Sequence, residues 1–309
     1  EENYSNTGAD GFLDAKTDYF NPEGDVFQKD TINQQKYNSS KMLSLNGKVT
    51  YTEPVRKDNF IILNYGYSNI HSSSDRKTYD YNNGKYNEIN PMLSNDYDFL
   101  ITTNAGGIAY RIAKKKYNIS FGSDLAYQAY RQTDNYKDSS FNYNRVNLFP
   151  KANFSYNIKP QTRIGMGYNG RTQQPTLQQI QPVAENNDPL NIFIGNPQLD
   201  RAFNHNLFVY FNDYKVLKSR GFNINGNLNI IDNTITTSSM VDTLGRREYK
   251  SVNTGATYNY RTYMGYGIRF ASIKTSLNVN LNTNGGKNIN FINGEKNITN
   301  NQSYSGGLG

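Results

Sequence analysis

The 309-residue sequence lacks cysteine and tryptophan, and it contains only two histidines, His71 and His205. The absence of cysteine excludes thiolate metal sites, catalytic thiols and disulfides, and it leaves no clue to the redox compartment. The two histidines are far apart in sequence with no second ligand nearby, so we expect no metal site and no cofactor. No nucleophile elbow, phosphate loop or metal motif occurs, and we predict that the chain is not an enzyme.

Charged residues and long apolar runs are also scarce. Charged residues make up 19% of the chain, and 47 residues are Asn, so neutral amides supply much of the polarity. No run of about 18 apolar residues is present, which excludes a transmembrane helix but not a transmembrane β-barrel. Disordered chains have few aromatic residues, so the 26 Tyr and 16 Phe argue against disorder.

Apolar and polar residues alternate along several stretches. In residues 222–230 the even positions are apolar or Gly, and the odd positions are all Asn. Similar alternation predicts strands near residues 118–128 and 277–282, and one long strand over residues 252–270. Strands of a soluble sandwich are usually about 5 or 6 residues long, so these are too long for that fold. In an outer-membrane barrel the apolar residues face lipid and the polar residues line a wet lumen.

Short and long connectors alternate along the sequence. Short connectors are predicted at residues 53–58, 113–116, 159–161, 213–220 and 270–273, and long ones at 20–39, 72–96, 131–140, 171–200, 232–248 and 284–302. Short periplasmic turns and long extracellular loops are typical of bacterial outer-membrane barrels. The fold class is therefore all-β, an antiparallel transmembrane β-barrel segment of about twelve strands. Because a barrel must close in lipid, we expect residues 1–309 to be a partial barrel domain.

Basic residues concentrate in the predicted short connectors. The formal net charge is +7, and examples are Arg56, Lys57, Lys159 and Lys218. A nucleic-acid surface interleaves basic residues with exposed aromatic residues, whereas the aromatic residues here fall on the predicted lipid face. We therefore expect no binding of nucleic acid.

One segment carries a recognisable motif. It consists of Arg171, Pro175, Leu177, Pro182, Gly195, Asn196, Pro197 and Leu199. This pattern resembles that of TonB-dependent outer-membrane receptors, in particular the Bacteroidota-type outer-membrane β-barrel proteins. Residues 291–297 are similar to a late loop of the same barrels. The sequence departs from the family at residues 200–202, Asp-Arg-Ala, where Lys-Pro-Glu is common.

The resemblance implies a bacterial outer-membrane transporter. Such a protein closes about 22 strands around an N-terminal plug. It imports a scarce nutrient, such as a glycan, peptide or metal chelate, with energy supplied through the TonB complex. Residues 1–309 contain no plug, TonB box or small N-terminal domain, so coupling would use a part of the protein outside this sequence. Outer-membrane lipid is the other implied partner, and some relatives also bind a surface lipoprotein.

Two other functions stay open. A barrel without a plug would act as a scaffold or adhesin through its extracellular loops. A secreted, soluble β-rich module would have to bury the apolar residues, and the strand lengths argue against it.

The ligand-binding candidates lie in the predicted loop at residues 171–200, because loops held by a rigid scaffold carry recognition. Amides and carboxylates suit hydroxyl-rich or peptide ligands. The candidates are Arg171, Gln173, Gln174, Gln178, Glu185, Asn186, Asn187 and Asp188. The motif residues Pro175, Leu177, Pro182, Gly195, Asn196, Pro197 and Leu199 are interpreted as structural, with a positive-φ turn at Gly195-Asn196.

Other polar residues receive structural interpretations as well. The Asn ladders are expected to keep the lumen wet and to pair across strands. Arg163, Arg261 and Arg269 are expected on the same face, where they would pair with carboxylates of a plug. Asn83-Gly84 is interpreted as the tip of a hairpin rather than as part of a calcium loop.

Overall fold

Antiparallel strands make up nearly all of the structure. The computed structural model describes residues 1–21, 23–136, 138–181, 184–188, 190–242 and 245–309, and for residues 185–187 it describes the backbone alone. Within these ranges, helical structure is limited to one turn, α1 (Leu177–Ile180), and two 3₁₀ turns, Val216–Lys218 and Ala271–Ile273. No helix in the described residues is long and apolar enough to cross a membrane.

Twelve long strands form a meander, in which each pairs antiparallel with the next. They are β1 (Glu2–Phe20), β2 (Val26–Arg56), β3 (Asn59–Asn82), β5 (Asn95–Ala113), β6 (Tyr117–Asp134), β7 (Ser139–Lys159), β8 (Thr162–Gln173), β11 (Ala202–Lys215), β12 (Arg220–Asp232), β15 (Thr257–Phe270), β16 (Thr275–Ile292) and β17 (Glu295–Leu308). Five shorter strands lie in the connections, namely β4 (Lys85–Ile89), β9 (Ala184–Asp188), β10 (Asn191–Ile194), β13 (Ile235–Val241) and β14 (Arg247–Asn253). The prediction of about twelve antiparallel strands is confirmed.

The alternation of connectors is confirmed at one end of the sheet and only partly at the other. The strands of the meander are joined at the first end by residues 57–58, 114–116, 160–161, 216–219 and 271–274, as predicted. At the opposite end, the prediction of loops at residues 20–39, 72–96 and 284–302 is wrong over much of their length. Residues 26–39, 72–82, 284–292 and 295–302 continue the ladders of β2, β3, β16 and β17. We call the end with the short connections the turn end and the opposite end the loop end.

Two-residue turns explain how such long hairpins close at the loop end. Asn293 has a φ of 51° and Gly294 a φ of 81°, and Asn83 and Gly84 have φ values of 48° and 82°. Positive φ at both central residues is the backbone of a type I′ turn, which matches the twist of the flanking strands. The interpretation of Asn83-Gly84 as a hairpin tip is therefore confirmed.

The predicted continuous strand over residues 252–270 is interrupted. β14 ends at Asn253, and β15 begins at Thr257. The backbone N–H of Thr254 donates to the carbonyl of Thr234 at 2.8 Å, which draws the chain away from the meander and towards β13. Alternation of side chains does not reveal this break, because the apolar residues Val252 and Tyr258 on its two sides both fall on even positions.

Most of the large apolar side chains that the twelve strands expose lie on one face, which we call the apolar face. Several of these side chains are more than half exposed, including Phe121 at 54%, Leu125 at 55%, Leu148 at 56% and Val209 at 51%. The opposite face, which we call the polar face, carries Asn223, Asn225, Asn227 and Asn229 on β12 together with their cross-strand neighbours. Exposed apolar residues spread across one face of a large sheet suit contact with lipid.

The polar face is the concave one. In a barrel wall the side that contacts lipid is the convex one, so the polar face corresponds to the concave, inward side.

Ion pairs and aromatic residues both occur on the polar face. The Nζ atom of Lys151 lies 2.7 Å from Oδ1 of Asp124, which also accepts a hydrogen bond from Asn64 at 3.0 Å. Phe99 and Tyr130 also lie on this face, so the expectation that the aromatic residues belong to the lipid face is wrong in part. These rings are buried under a loop, which the sequence pattern of a single strand does not indicate.

The described sheet is open. Among the described strands, β1 pairs only with β2, and β17 pairs only with β16. The outer edges of β1 and β17 thus present backbone N–H and C=O groups that have no ladder partner in the described residues. In hydrocarbon these groups require partners, so the sheet corresponds to an arc of a barrel wall.

An arginine placed on each face tests which face contacts lipid. We expect Leu228→Arg to lower the free energy of unfolding of the full-length protein in lipid vesicles by about 2–4 kcal/mol, because a guanidinium loses hydration near the bilayer midplane. Asn227→Arg is the matched control on the polar face, and it should change this free energy by less than about 0.5 kcal/mol. Equal losses in the two variants, measured by denaturant unfolding, would contradict the assignment.

Candidate functional site

The segment between β8 and β11, which we call the inner loop (residues 174–201), folds back over the polar face. It contains α1, β9 and β10. It packs on β5, β6 and β7 at the loop end of the sheet, and its strand β10 pairs in parallel with β14. This long connection thus packs on the polar face of the sheet.

Helix α1 supplies the apolar contact that holds the inner loop. Thr176 and Gln179 form a capping box, in which the Thr176 hydroxyl accepts from the Gln179 N–H and the Gln179 side chain accepts from the Thr176 N–H. This cap fixes the single helical turn that points Ile180 at the sheet. Ile180 is 4% exposed and packs with Phe99 and Tyr130.

Around this contact the polar face carries an aromatic stack. The rings of Tyr130 and Tyr143 are parallel, with centroids 4.6 Å apart, and those of Phe99 and Tyr130 are 6.2 Å apart. Leu177 and Leu199 of the inner loop pack against the same cluster. Both motif leucines thus lie in the packed contact between the inner loop and the sheet.

An amide network holds the start and end of the inner loop. The Gln174 side chain donates to Oε1 of Gln128 at 3.2 Å, and Asn147 donates to the same oxygen. Arg201, at the far end of the loop, donates to Oδ1 of Asn147. Asn147 is buried, so these bonds satisfy a polar group that would otherwise cost free energy.

The Gly-Asn-Pro motif connects the second half of the inner loop to α1 and to β14. The N–H of Asn196 donates to the carbonyl of Gln179 at 2.6 Å, and its side chain donates to the carbonyl of Ser251 at 2.9 Å. The predicted positive-φ turn at Gly195-Asn196 is wrong, since neither residue has a positive φ. Glycine is required there because a Cβ on Gly195 would lie 1.9 Å from the carbonyl oxygen of Gln181.

A cavity of about 690 Å³ lies between the inner loop and the polar face of β1, β2, β3 and β5. Hydroxyl and amide groups line much of it, contributed by Ser5, Thr7, Asn38, Ser40, Ser72, Ser74, Gln178 and Gln181. Phe99 and Leu177 supply apolar surface, Lys41 and Arg76 supply cations, and no carboxylate lies among the described lining residues. A second cavity of about 280 Å³ adjoins it and shares Asn38 and Arg76. The site therefore offers mainly neutral hydrogen-bonding groups beside apolar patches.

The structure places the predicted ligand-binding residues in different surroundings. Gln178 lines the cavity, and Gln174 belongs to the amide network. Arg171 and Gln173 are exposed on β8, opposite Asn204 and Ala202 of β11. The side chains of Glu185, Asn186 and Asn187, and the motif residue Pro182, lie outside the described residues. Pro175 lines the cavity with Gln178, and Pro197 is exposed.

Asp188 makes local contacts. Its carboxylate accepts a hydrogen bond from the Asn191 side chain at 2.7 Å and another from the Leu190 N–H at 2.9 Å. The Asn191 side chain, followed by the Leu190 N–H, holds the pKa of the Asp188 carboxyl below its usual range. The carboxylate thus stays ionised while it closes the turn between β9 and β10.

Sequence reasoning missed the contribution of the strands to this site. Thr7, Ser40 and Ser74 pair across β1, β2 and β3 and form one row of hydroxyls on the polar face. Ser5 and Ser72 stand in the neighbouring row, on either side of Met42. The sequence signal was present as the runs Ser39-Ser40 and Ser72-Ser73-Ser74, but their register becomes visible only with the sheet pairing.

The three arginines predicted on the polar face lie there, and the two histidines each contact an aspartate. Arg163, Arg261 and Arg269 lie on the polar face, where Arg163 donates to Ser155 at 3.0 Å. His71 and His205 lie towards the loop end, 3.1 Å from Asp98 and 3.0 Å from Asp232, respectively. The described part of the chain holds no group of three His, Asp or Glu side chains that fits a metal ion.

Comparison with known proteins identifies the family of the sheet. A family model described as "Outer membrane protein beta-barrel family" matches residues 2–308. A search of curated proteins gave no match.

Three solved structures illustrate the fold. The copper transporter OprC aligns with a TM-score of 0.61 and 10% identity, covering 93% of this chain and 43% of its own. The ferric citrate transporter FecA in its unliganded form gives 0.54 and 9%, covering 99% and 43%. A double mutant of the Serratia marcescens hemophore receptor HasR, with its hemophore HasA and heme, gives 0.56 and 11%, covering 93% and 49%. At these identities the likeness concerns the fold alone, and the chain spans less than half the length of each structure.

A methyl group added at Gly195 tests whether the close contact with Gln181 holds the inner loop. We expect Gly195→Ala to raise the hydrogen-exchange rate of the Asn196 amide about 5- to 150-fold, because the methyl group forces the two backbones apart at a cost of about 1–3 kcal/mol. Gly255→Ala is the matched control, since a Cβ at Gly255 would meet nothing within 4 Å. The contact has no such role if the two variants exchange alike.

Proposed function

We propose a transport function from one premise: the chain belongs to the outer membrane protein beta-barrel family, and it is part of a β-barrel in the bacterial outer membrane. In this proposal, residues 1–309 form a partial barrel domain of a TonB-dependent transporter. The apolar face contacts outer-membrane lipid, and the polar face lines the path of an imported nutrient. The chain contributes binding and passage, without bond-making chemistry.

The observation that carries the proposal is the cavity between the inner loop and the concave polar face. A barrel that serves only as a scaffold needs no ligand-sized space inside its wall. A cavity of about 690 Å³ is within the usual range for small-molecule sites. It lies at the loop end, the end that faces the external medium in bacterial outer-membrane barrels, and this position suits a first binding site for a solute that enters from outside.

The groups around the cavity favour a neutral, hydroxyl-rich nutrient such as a glycan. Ser40, Ser74 and Gln178 offer donors and acceptors that pair with hydroxyls, and Phe99 offers an apolar surface of the kind that sugars contact. Peptides and metal chelates are the other nutrients that the barrel architecture accommodates. Of the eight candidates from sequence, Gln178 is the one that we place against the ligand in this cavity.

Energy coupling is the other part of the proposal. A plug inside the completed barrel would respond to the bound nutrient, and the TonB complex would then open the path. Arg261 and Arg269 are exposed on the polar face and would meet carboxylates of such a plug. A surface lipoprotein that covers the loop end would be a further partner.

Uptake by intact cells tests the transport function. Cells with and without the full-length protein are given labelled oligosaccharide, peptide or ferric chelate, with and without a proton uncoupler. Accumulation that depends on both the protein and the proton gradient supports energy-coupled import. Accumulation that is insensitive to the uncoupler contradicts TonB coupling. Binding of the cells to a protein partner, with no uptake of any probe, would favour a scaffold or adhesin.

A single hydroxyl tests the site. We expect Ser40→Ala to weaken binding of the transported probe about 2- to 10-fold, because it removes one hydrogen bond worth about 0.5–1.5 kcal/mol. Ser39→Ala is the matched control, since Ser39 is the adjacent residue on the opposite face. Titration of the full-length protein with the labelled probe measures both constants, and equal affinities of the two variants would exclude Ser40 from the site.

A further inference from the structure

The turn end of the sheet repeats one local pattern. Three of its turns place an aliphatic residue directly before a lysine, at Ile158-Lys159, Leu217-Lys218 and Ile273-Lys274. The other two turns have Val55 before Arg56 and Lys57, and Ile112 two residues before Lys114. We call these five segments the basic turn rim (residues 55–57, 112–116, 158–159, 216–218 and 273–274). All five described turns at this end share the pattern.

The basic turn rim holds the positive charge of the chain. Its five segments contain eight Lys or Arg and no Asp or Glu, whereas the net charge of the whole chain is +7. The rest of the chain is therefore slightly negative. Lys57, Lys115, Lys218 and Lys274 are exposed. The neighbouring Lys215 lies 3.8 Å from Asp213.

The aliphatic members of the pattern are unusually exposed. Leu217 is 101% exposed and Ile273 is 67% exposed, and both belong to 3₁₀ turns. One exposed aliphatic residue on a soluble protein needs no explanation. Val55 and Ile158 are 50% and 44% exposed, so an exposed aliphatic residue stands beside a cation at four of the five turns. This is the arrangement of interfacial anchors, in which apolar groups enter the acyl region and cations reach the headgroups.

We propose that the basic turn rim binds anionic phospholipids of the leaflet next to the short turns. Short turns of outer-membrane barrels are periplasmic, so this is the inner leaflet. Lysines near an anionic membrane surface are attracted to its headgroups, and this attraction acts over about a Debye length. A ring of bound anionic lipid fixes the vertical position of the wall in the membrane. The inference does not depend on transport.

The spread of the charges favours lipid over a macromolecular partner. The five turns follow one another along the edge of the sheet, so the cations form an arc instead of a compact patch. Headgroups surround a barrel in the same way. An acidic periplasmic protein would meet only part of such an arc, and it would leave Leu217 and Ile273 without an apolar partner.

Lipid selectivity of the full-length protein in bilayers tests the proposal. Spin-labelled phosphatidylglycerol and phosphatidylethanolamine are compared as probes, and the ratio of their association constants is measured. We expect the parent protein to prefer phosphatidylglycerol and to lose much of this preference in high salt. The triple variant Lys115→Gln, Lys218→Gln and Lys274→Gln should lower the ratio by up to about fivefold for each lysine that contacts a headgroup.

Matched controls separate an effect of the lysine positions from an effect of the net charge. The triple variant Lys85→Gln, Lys250→Gln and Lys296→Gln removes the same charge from exposed lysines at the loop end and should leave the ratio unchanged. The conservative triple variant Lys115→Arg, Lys218→Arg and Lys274→Arg should keep the preference for phosphatidylglycerol. No preference in the parent protein, or equal losses in the two glutamine variants, would overturn the proposal.

Discussion

The backbone of this chain has to satisfy its hydrogen bonds inside a lipid bilayer, and most of the structure follows from that constraint. An unpaired peptide group in hydrocarbon costs several kcal/mol, so a membrane wall made of strands must be a continuous ladder. The twelve long strands form such a ladder, and consecutive strands share registers of up to about twenty residue pairs. Once the ladder is fixed, every second side chain must face lipid, and the others form a second, independent surface.

The polar face carries more than strand side chains, because the inner loop packs on it. The inner loop could extend into solvent, but α1 turns Ile180 onto Phe99 and Tyr130 and buries all three. Apolar burial on the concave side brings Gln178 opposite the hydroxyl row of β1 to β3 and thereby forms the cavity. The same contact explains why aromatic residues occur on a face that is otherwise polar. The packing of Ile180 on Phe99 and Tyr130 thus both holds the inner loop and forms the cavity.

Local pattern was sufficient to predict the strands but not the contacts between distant segments. Alternation in residues 222–230 and the basic short turns yielded the strand number, both faces and the turn end. The hairpins at residues 26–39 and 284–302 were missed because their Asn, Gln and Ser residues resemble loop composition, while backbone pairing keeps them extended. The role of Gly195 depends on Gln181, fourteen residues away and brought close only by folding. For the same reason, the serine rows of the cavity required the register of three strands.

The central claim is that the polar face borders an aqueous path through the outer membrane, and single cysteines test it most directly because the chain contains none. Asn225→Cys and Ile224→Cys are adjacent on β12 and lie on opposite faces. A water-soluble thiol reagent added to cells with the full-length protein should label Asn225→Cys and leave Ile224→Cys unreacted, and a quencher confined to lipid should affect only a fluorophore at position 224. Labelling of Ile224→Cys in preference to Asn225→Cys would contradict the account, because it would place the apolar face in water.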